Sequence, residues 1–436
     1  MFGYYFKLGV RSLRRNPALT ALMVLTLAIG VAASISTLAI LHVMSGDPIP
    51  TKSDRLFVPL VDNGPPEGYN PGDEPNDRQL SYKDAMAVMG SKMGERRTVM
   101  YSVYSPIEPG RKDIGAFGAS GLAPTHDFFA MFDVPMVYGQ AWGEQEDRTG
   151  ADVVVLTRSL SDKLFGNVNP VGQSLRIMGQ TFKIIGVADK WAPLPRYYKL
   201  IGAGKFAEQD EFYIPFAAAI RHETGHNGSM NCTKRRDPGF QALLDSECTW
   251  LQAWFELKSS ADRAELQNWL DSYAGEQRKL GRLKRNAPNR LYNVMEWMEY
   301  MKVVGNDNKL SAWLAFGFLL LCLVNTVGLL LAKFSVRAPE VGVRRALGAS
   351  RREIFRQFLI ETGVVGLVGG GLGLVLAVGA LGLISMQSKA MATVAHLDWQ
   401  MLGFTFIMSV TAAVVAGLLP TWRACNITPA VQLKSQ

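Results

Sequence analysis

The sequence predicts a membrane protein with four transmembrane helices plus a large α/β (α+β) extracytoplasmic domain of two subdomains inserted between spans 1 and 2. Three observations point there. Apolar residues make up 48% of the chain and gather at its two ends, while a polar stretch fills the middle. Four windows, near Leu19 to Val43, Leu310 to Ala332, Phe358 to Ile384 and Leu402 to Leu419, approach the roughly 20 apolar residues needed to cross about 30 Å of hydrocarbon. The net charge of +8 lies beside those windows, which argues for a membrane and against a nucleic-acid partner.

Residues 1–17 carry Phe2, Phe6, Val10 and Leu13 opposite Lys7, Arg11 and Arg14, the pattern of an amphipathic helix lying on the cytoplasmic face of a bilayer. Residues 18–44 form the first span, too long for the apolar core of a signal peptide and without a convincing cleavage site, hence a retained anchor. Residues 45–309 make the exterior domain, since the cations before span 1, in the hinge after span 2 and in the tail (Arg423, Lys434) all mark the inner side.

Within that domain the Pro/Gly/Asp-rich stretch Pro59 to Asp77 reads as irregular. Helix is expected over Tyr82 to Met89, and strand over Arg97 to Pro106 and Val153 to Leu156. The alternating runs Ser174 to Ile177 and Thr181 to Val187 predict a hairpin turned at Gly179-Gln180, and Glu211 to Phe216 a further strand. Trp250 to Leu257 predicts a strand and Ala261 to Leu280 an amphipathic helix, followed by a strand ending at Asn293. Cys232 and Cys248 both fall in this domain. An oxidising periplasm would permit a disulfide between them, but the sequence alone does not give their separation, and two free thiols remain the alternative.

The second span, 310–333, contains Cys322 and the polar Asn325, which is expected to hydrogen-bond to a neighbouring helix, or else to contact substrate. The third, 358–385, carries Gly366, Gly369, Gly370 and Gly373 at spacings that let helices approach closely, within one chain or between two. A short loop, 386–399, a fourth span, 400–420, and a cytoplasmic tail, 421–436, complete the chain. Three of the four spans lack any ionisable residue in their interiors, and the third has none beyond its inner edge at Glu361, which argues against a proton or ion relay.

The hinge, 334–357, carries most of the functional signal. Pro339 suits a first helical position, Gly348 a C-terminal stop, and Ser350 with Glu353 a capping box that starts the next helix. Its order Glu340-Val-Gly-Val-Arg-Arg-Ala-Leu-Gly-Ala-Ser350, followed by Ile354 and Phe358-Leu-Ile-Glu361, resembles the signature of the MacB/FtsX-type permeases of ATP-binding-cassette transporters. Phe128-Phe129, Leu164-Phe-Gly166, Asn169-Pro-Val-Gly172 and Ile184-Ile-Gly-Val187 similarly resemble the periplasmic core domain of the MacB group, and Pro420 to Leu433 resembles the family's exit from its last span. The stretch Arg196 to Cys248 has no counterpart that can be mapped.

This resemblance implies a multi-pass protein of the bacterial inner membrane with both termini cytoplasmic. Glu340, Gly342, Arg344, Arg345, Ala346, Gly348, Ala349 and Ser350 would form a coupling helix docked on a dimer of a separate cytoplasmic ATPase. It implies a second permease copy, identical or related, and a periplasmic adaptor with an outer-membrane channel for efflux. An FtsX-like scaffold that activates an envelope hydrolase, or a lipoprotein-release permease, is the alternative.

No catalytic, cofactor-binding or metal-ligating residue is assigned to the chain. It lacks a G-x-x-x-x-G-K-[ST] phosphate loop and a G-x-S-x-G elbow, so ATP and Mg belong to the partner. His222-Glu223-Thr-Gly-His226 spells H-E-x-x-H, which on an unbroken helix would bind zinc with Glu223 as general base. Gly225 and Asn227-Gly228 favour a turn instead, leaving a membrane metalloprotease as a remote reading.

Overall fold

The computed structural model describes residues 16–75, 78–111, 113–202, 205–206, 209–386 and 399–425. The helix expected over 1–17, nearly all of the 386–399 loop and the tail beyond 425 therefore lie outside the described residues. The chain divides into two units: Gly46–Val303, and Met1–Ser45 with Val304–Gln436.

The second of these is helical: α1 (Pro17–Ser45), α2 (Asn306–Val336), α3 (Ala338–Ala346), α4 (Arg351–Ser385) and α5 (Trp399–Cys425). Among the described residues α1, α2 and α4 are long and apolar enough to cross a membrane, against four spans expected. In α5, over which the fourth was expected, the apolar portion is the shorter Val410–Trp422. The α2 helix starts at Asn306 rather than 310, because Asn306-Asp-Asn-Lys309 forms its first turn, with Asp307 at the electropositive end. Likewise α4 begins at Arg351, seven residues before the expected span, since the capping box at Ser350 nucleates it there.

α1 packs against both α2 and α4, and α4 against α5. Met23, Leu27, Val31 and Ile35 of α1 are buried in these seams, while Trp313, Leu314, Leu320 and Val324 of α2 face outward, as expected where lipid tails are the solvent.

The Gly46–Val303 unit is built on one ten-stranded sheet. Its strands are β1 (Leu56–Leu60), β2 (Arg96–Glu108), β3 (Phe117–Pro124), β4 (Met136–Gly139), β5 (Val153–Thr157), β6 (Ser174–Ile177), β7 (Gln180–Ala188), β8 (Phe212–Tyr213), β9 (Gln252–Glu256) and β10 (Arg290–Asn293). They are ordered β10-β1-β9-β2-β3-β8-β5-β7-β4, and β6 pairs with β2 and β7. The sequence-distant ends of the domain do meet, through β1 with β10 and β9. They join the middle through β2, which continues the same sheet, so the sequence-distant ends and the inserted middle share one ten-stranded sheet.

Side chains alternate across this sheet. Phe57, Val99, Tyr101, Val103 and Phe255 enter one core, and Leu56, Val58, Met100 and Trp254 enter the other. The first core is covered by Tyr82–Gly90 and Ser260–Lys279 through Ala85, Val88, Leu266 and Leu270. The second is covered by Phe128–Met131 and Val294–Tyr300 through Phe128, Phe129 and Trp297. Both faces being dry explains why Leu56–Leu60 and Gln252–Glu256 are buried at every position instead of every other one.

Two local expectations shift. The hairpin turns at Met178-Gly179, both at positive φ, because Ile177 pairs with Gln180. The strand expected over Glu211–Phe216 shrinks to Phe212–Tyr213, since Pro215 has no N–H to donate and instead precedes the helix Phe216–Arg221. Nearby, Asp210 is fully buried between Lys199 (2.5 Å) and Arg196 (2.6 Å). Burial raises its pKa, the two cations lower it further, and it ends below the usual carboxylate range.

Candidate coupling site

The hinge consists of α3 between two tight joints. Arg337 is the whole of the first, for α2 ends at Val336 and α3 starts at Ala338, with Pro339 in its first turn. At the second, Gly348 takes a left-handed φ of +96° that an L side chain adopts only with strain, and its N–H reaches the Arg345 carbonyl. Ser350 Oγ then accepts from Glu353 N while Glu353 Oε2 accepts from Ser350 N at 3.1 Å, which starts α4.

α3 has two apolar faces. On one, Ala338 and Val341 are buried, and Val341 packs with Met23, Leu330, Phe334, Ile354 and Phe358. On the other, Val343 is 57% and Leu347 82% exposed, with Ala346 exposed beside them. Of the residues expected at the docking surface, Ala346, Gly348 and Ser350 are exposed and Gly342, Arg345 and Ala349 half-buried. Arg344 is turned back onto its own chain, with Nη2 2.7 Å from Glu340 and Nη1 donating to Gln357 Oε1 at 3.1 Å.

Charge-based reading therefore missed Val343 and Leu347. The signal was their i,i+4 spacing on the side opposite Ala338 and Val341. It also left Glu361 at a membrane edge, whereas its carboxylate is buried and receives Lys333 and Arg337, each at 2.8 Å.

The remaining candidates sit elsewhere. Gly369 faces Leu27, Gly373 faces Val31 and the Ala28 carbonyl, and Gly366 faces Ala413, so these three serve close approach within the chain; Gly370 is buried. Asn325, expected to bond a neighbouring helix, lies exposed on α2 with no hydrogen-bond partner among the described residues. Nearby, Thr326 donates to Cys322 O within α2, and Ser34 of α1 donates to Ala315 O of α2.

Cys232 and Cys248 form a disulfide, beside a short bridge between Asn231 and Thr249. The H-E-x-x-H string is not helical. The helix Phe216–Arg221 stops before it, and Glu223 takes a φ of +49°. His222 Nε2 lies 2.7 Å from Asp152, and His226 packs on Trp250. The two histidines thus do not share a helical face, and no metal-holding cluster of His, Cys, Asp and Glu occurs among the described residues.

Residues 20–273 match the MacB-like periplasmic core domain, and residues 312–429 match the FtsX-like permease C-terminal domain. The macrolide export ATP-binding/permease protein MacB of Bdellovibrio bacteriovorus is 26% identical over 318 residues, covering 72% of this chain and 43% of that protein. The pyoverdine export ATP-binding/permease protein PvdT of Pseudomonas fluorescens is 27% identical over 315 residues, covering 71% and 42%. The chain thus spans less than half the length of these two relatives. The crystal structure of the periplasmic region of MacB from Actinobacillus actinomycetemcomitans aligns with a TM-score of 0.37 at 16% identity, over 58% of this chain and 95% of that one. With one family match over more than half of its residues and a second over most of the C-terminal helices, the chain belongs to the MacB/FtsX-type permeases of ABC transporters.

Proposed function

We propose that the chain is the non-catalytic permease subunit of an exporter. A separate cytoplasmic ATPase dimer, carrying ATP and Mg, docks on α3, and its closure is transmitted through α1, α2 and α4 to the exterior domain, which drives out a periplasmic or membrane-derived substrate. Both termini are cytoplasmic, and Gly46–Val303 is periplasmic. The outward Val343 and Leu347 carry this reading: a helix already anchored through Val341 has no internal use for a second apolar face, so that face fits a protein partner.

A second permease copy follows from Asn325, because an amide exposed on an apolar α2 surface gains most from a partner helix. Export through a periplasmic adaptor and an outer-membrane channel is part of the proposal; the named relatives support its export half, both being export proteins. Replacing Val343 and Leu347 together with Asp tests the reading: ATPase docking and export are expected to be lost, and survival of both would refute it.

A further inference from the structure

Resting on that function, we infer that Glu361 is the fastening point that makes the α2–α3 joint stiff, with Lys333 and Arg337 as its two straps. The joint is a single residue, Arg337, whose ψ of 1° lies outside helical geometry. A load applied to α3 could simply bend the chain there, and the long helices would not move.

The side chains around the joint oppose that bending. Lys333 lies one turn before it and donates to Glu361 Oε1; Arg337, at the joint itself, donates to Oε2, both at 2.8 Å. One carboxylate on α4 thus holds the chain at two heights, through charge-assisted hydrogen bonds that are short and directional. Lys333 Nζ also reaches Thr20 Oγ1 of α1 at 3.5 Å, and Phe334 packs on Phe358 with ring centroids 4.3 Å apart and the planes tilted by 34°. Further along, Gly369 and Gly373 seat α4 directly on Leu27 and Val31 of α1. A displacement of α3 is therefore delivered to α1, α2 and α4 as one body.

Stability alone is a weak reason for such an arrangement. Lys333 and Glu361 are 0% and 1% exposed, and a buried ion pair is commonly no more stabilising than well-packed apolar residues in its place. What the pair supplies that an apolar contact would not is fixed geometry on both sides of the joint. Lys333, Arg337 and Glu361 are accordingly positioning residues for coupling; none of them is assigned to the ATPase contact.

The test uses the full chain in lipid nanodiscs with its cognate ATPase. Two readouts are taken: ATPase binding, and the change in hydrogen exchange of the Gly46–Val303 unit on adding Mg-ATP. Glu361→Gln is expected to bind the ATPase as wild type does while the ATP-dependent change falls roughly 2- to 30-fold. Lys333→Met with Glu361→Gln keeps the net charge of the trio and leaves Arg337 an acceptor, so it remains informative if the single variant does not fold; the same loss is expected. A wild-type response in the double variant overturns the inference, and so does loss of binding in it, because the trio would then be shaping the docking surface. If the wild-type chain itself fails to bind the ATPase, or binds without responding, the proposed function fails and not the fastening.

Discussion

A methyl group on Gly373 would stand 2.8 Å from Val31 Cγ1, and 2.9 Å from the carbonyl oxygen of Ala28, so the α1–α4 crossing closes around an absent side chain. Gly373→Ala is expected to destabilise the helical unit by about 1–3 kcal/mol through overpacking. Gly371→Ala, which meets open space two residues away, should leave stability near wild type. Thermal unfolding in detergent separates the two, and equal effects would mean that the glycine row has no packing role.

The Cys232–Cys248 disulfide spans a separation of 16 residues and ties down the exposed segment that follows Asn231. Replacing both cysteines with Ser is expected to lower stability by about 3 kcal/mol in the chain-entropy model. Denaturant unfolding of wild type with and without reductant should reproduce the difference, and the double variant should no longer respond to reductant.

Much of this molecule could be read from its sequence because the strongest signals were local. The capping box at Ser350 and Glu353, the stop at Gly348 and the alternation of Ser174–Ile177 each depend on neighbours within four residues, and each stands where it was expected. What escaped depends on partners far along the chain. Glu361 looks peripheral until Lys333, 28 residues away, is folded against it. The ends and the middle of the exterior domain share one sheet because β2 is 13 residues long and pairs with β9 at its start and β3 and β6 further on. On α3, formal charge points to Arg344, although the side chain is held by Glu340 and the exposed surface includes the apolar Val343 and Leu347.

That apolar surface makes its own prediction. Leu347→Asp and Val343→Asp should each weaken ATPase binding by about 2 kcal/mol, roughly thirtyfold in Kd, if these residues form the centre of the contact. Arg344→Ala, which removes a partly intrachain interaction, should cost less. Titration of the ATPase onto nanodisc-embedded chain checks the order, and an Arg344→Ala effect larger than Leu347→Asp would reverse the assignment.

The exterior unit carries a pH dependence at His126. Its Nδ1 lies 3.0 Å from Asp147 Oδ2, and this hydrogen bond raises its pKa above the usual 6.5 against an opposing effect of burial. A raised folded-state pKa contributes stability that is complete below the unfolded value and fades as pH climbs through the folded one. His126→Gln should therefore cost more stability at pH 6 than at pH 9, measured by denaturant unfolding of the full chain in detergent; an equal cost at both would contradict the protonated pair.

The central claim is that an ATPase seats on the outward face of α3, on the opposite side of the membrane from the Gly46–Val303 unit. Site-specific photo-crosslinking in native membranes tests it most directly, with the reactive group at position 347 on α3 and, for comparison, at position 280, where Leu280 is 73% exposed in the exterior unit. Capture of a cassette ATPase subunit from 347 and not from 280 is the result this account requires. Capture from 280, or none from 347, would contradict it.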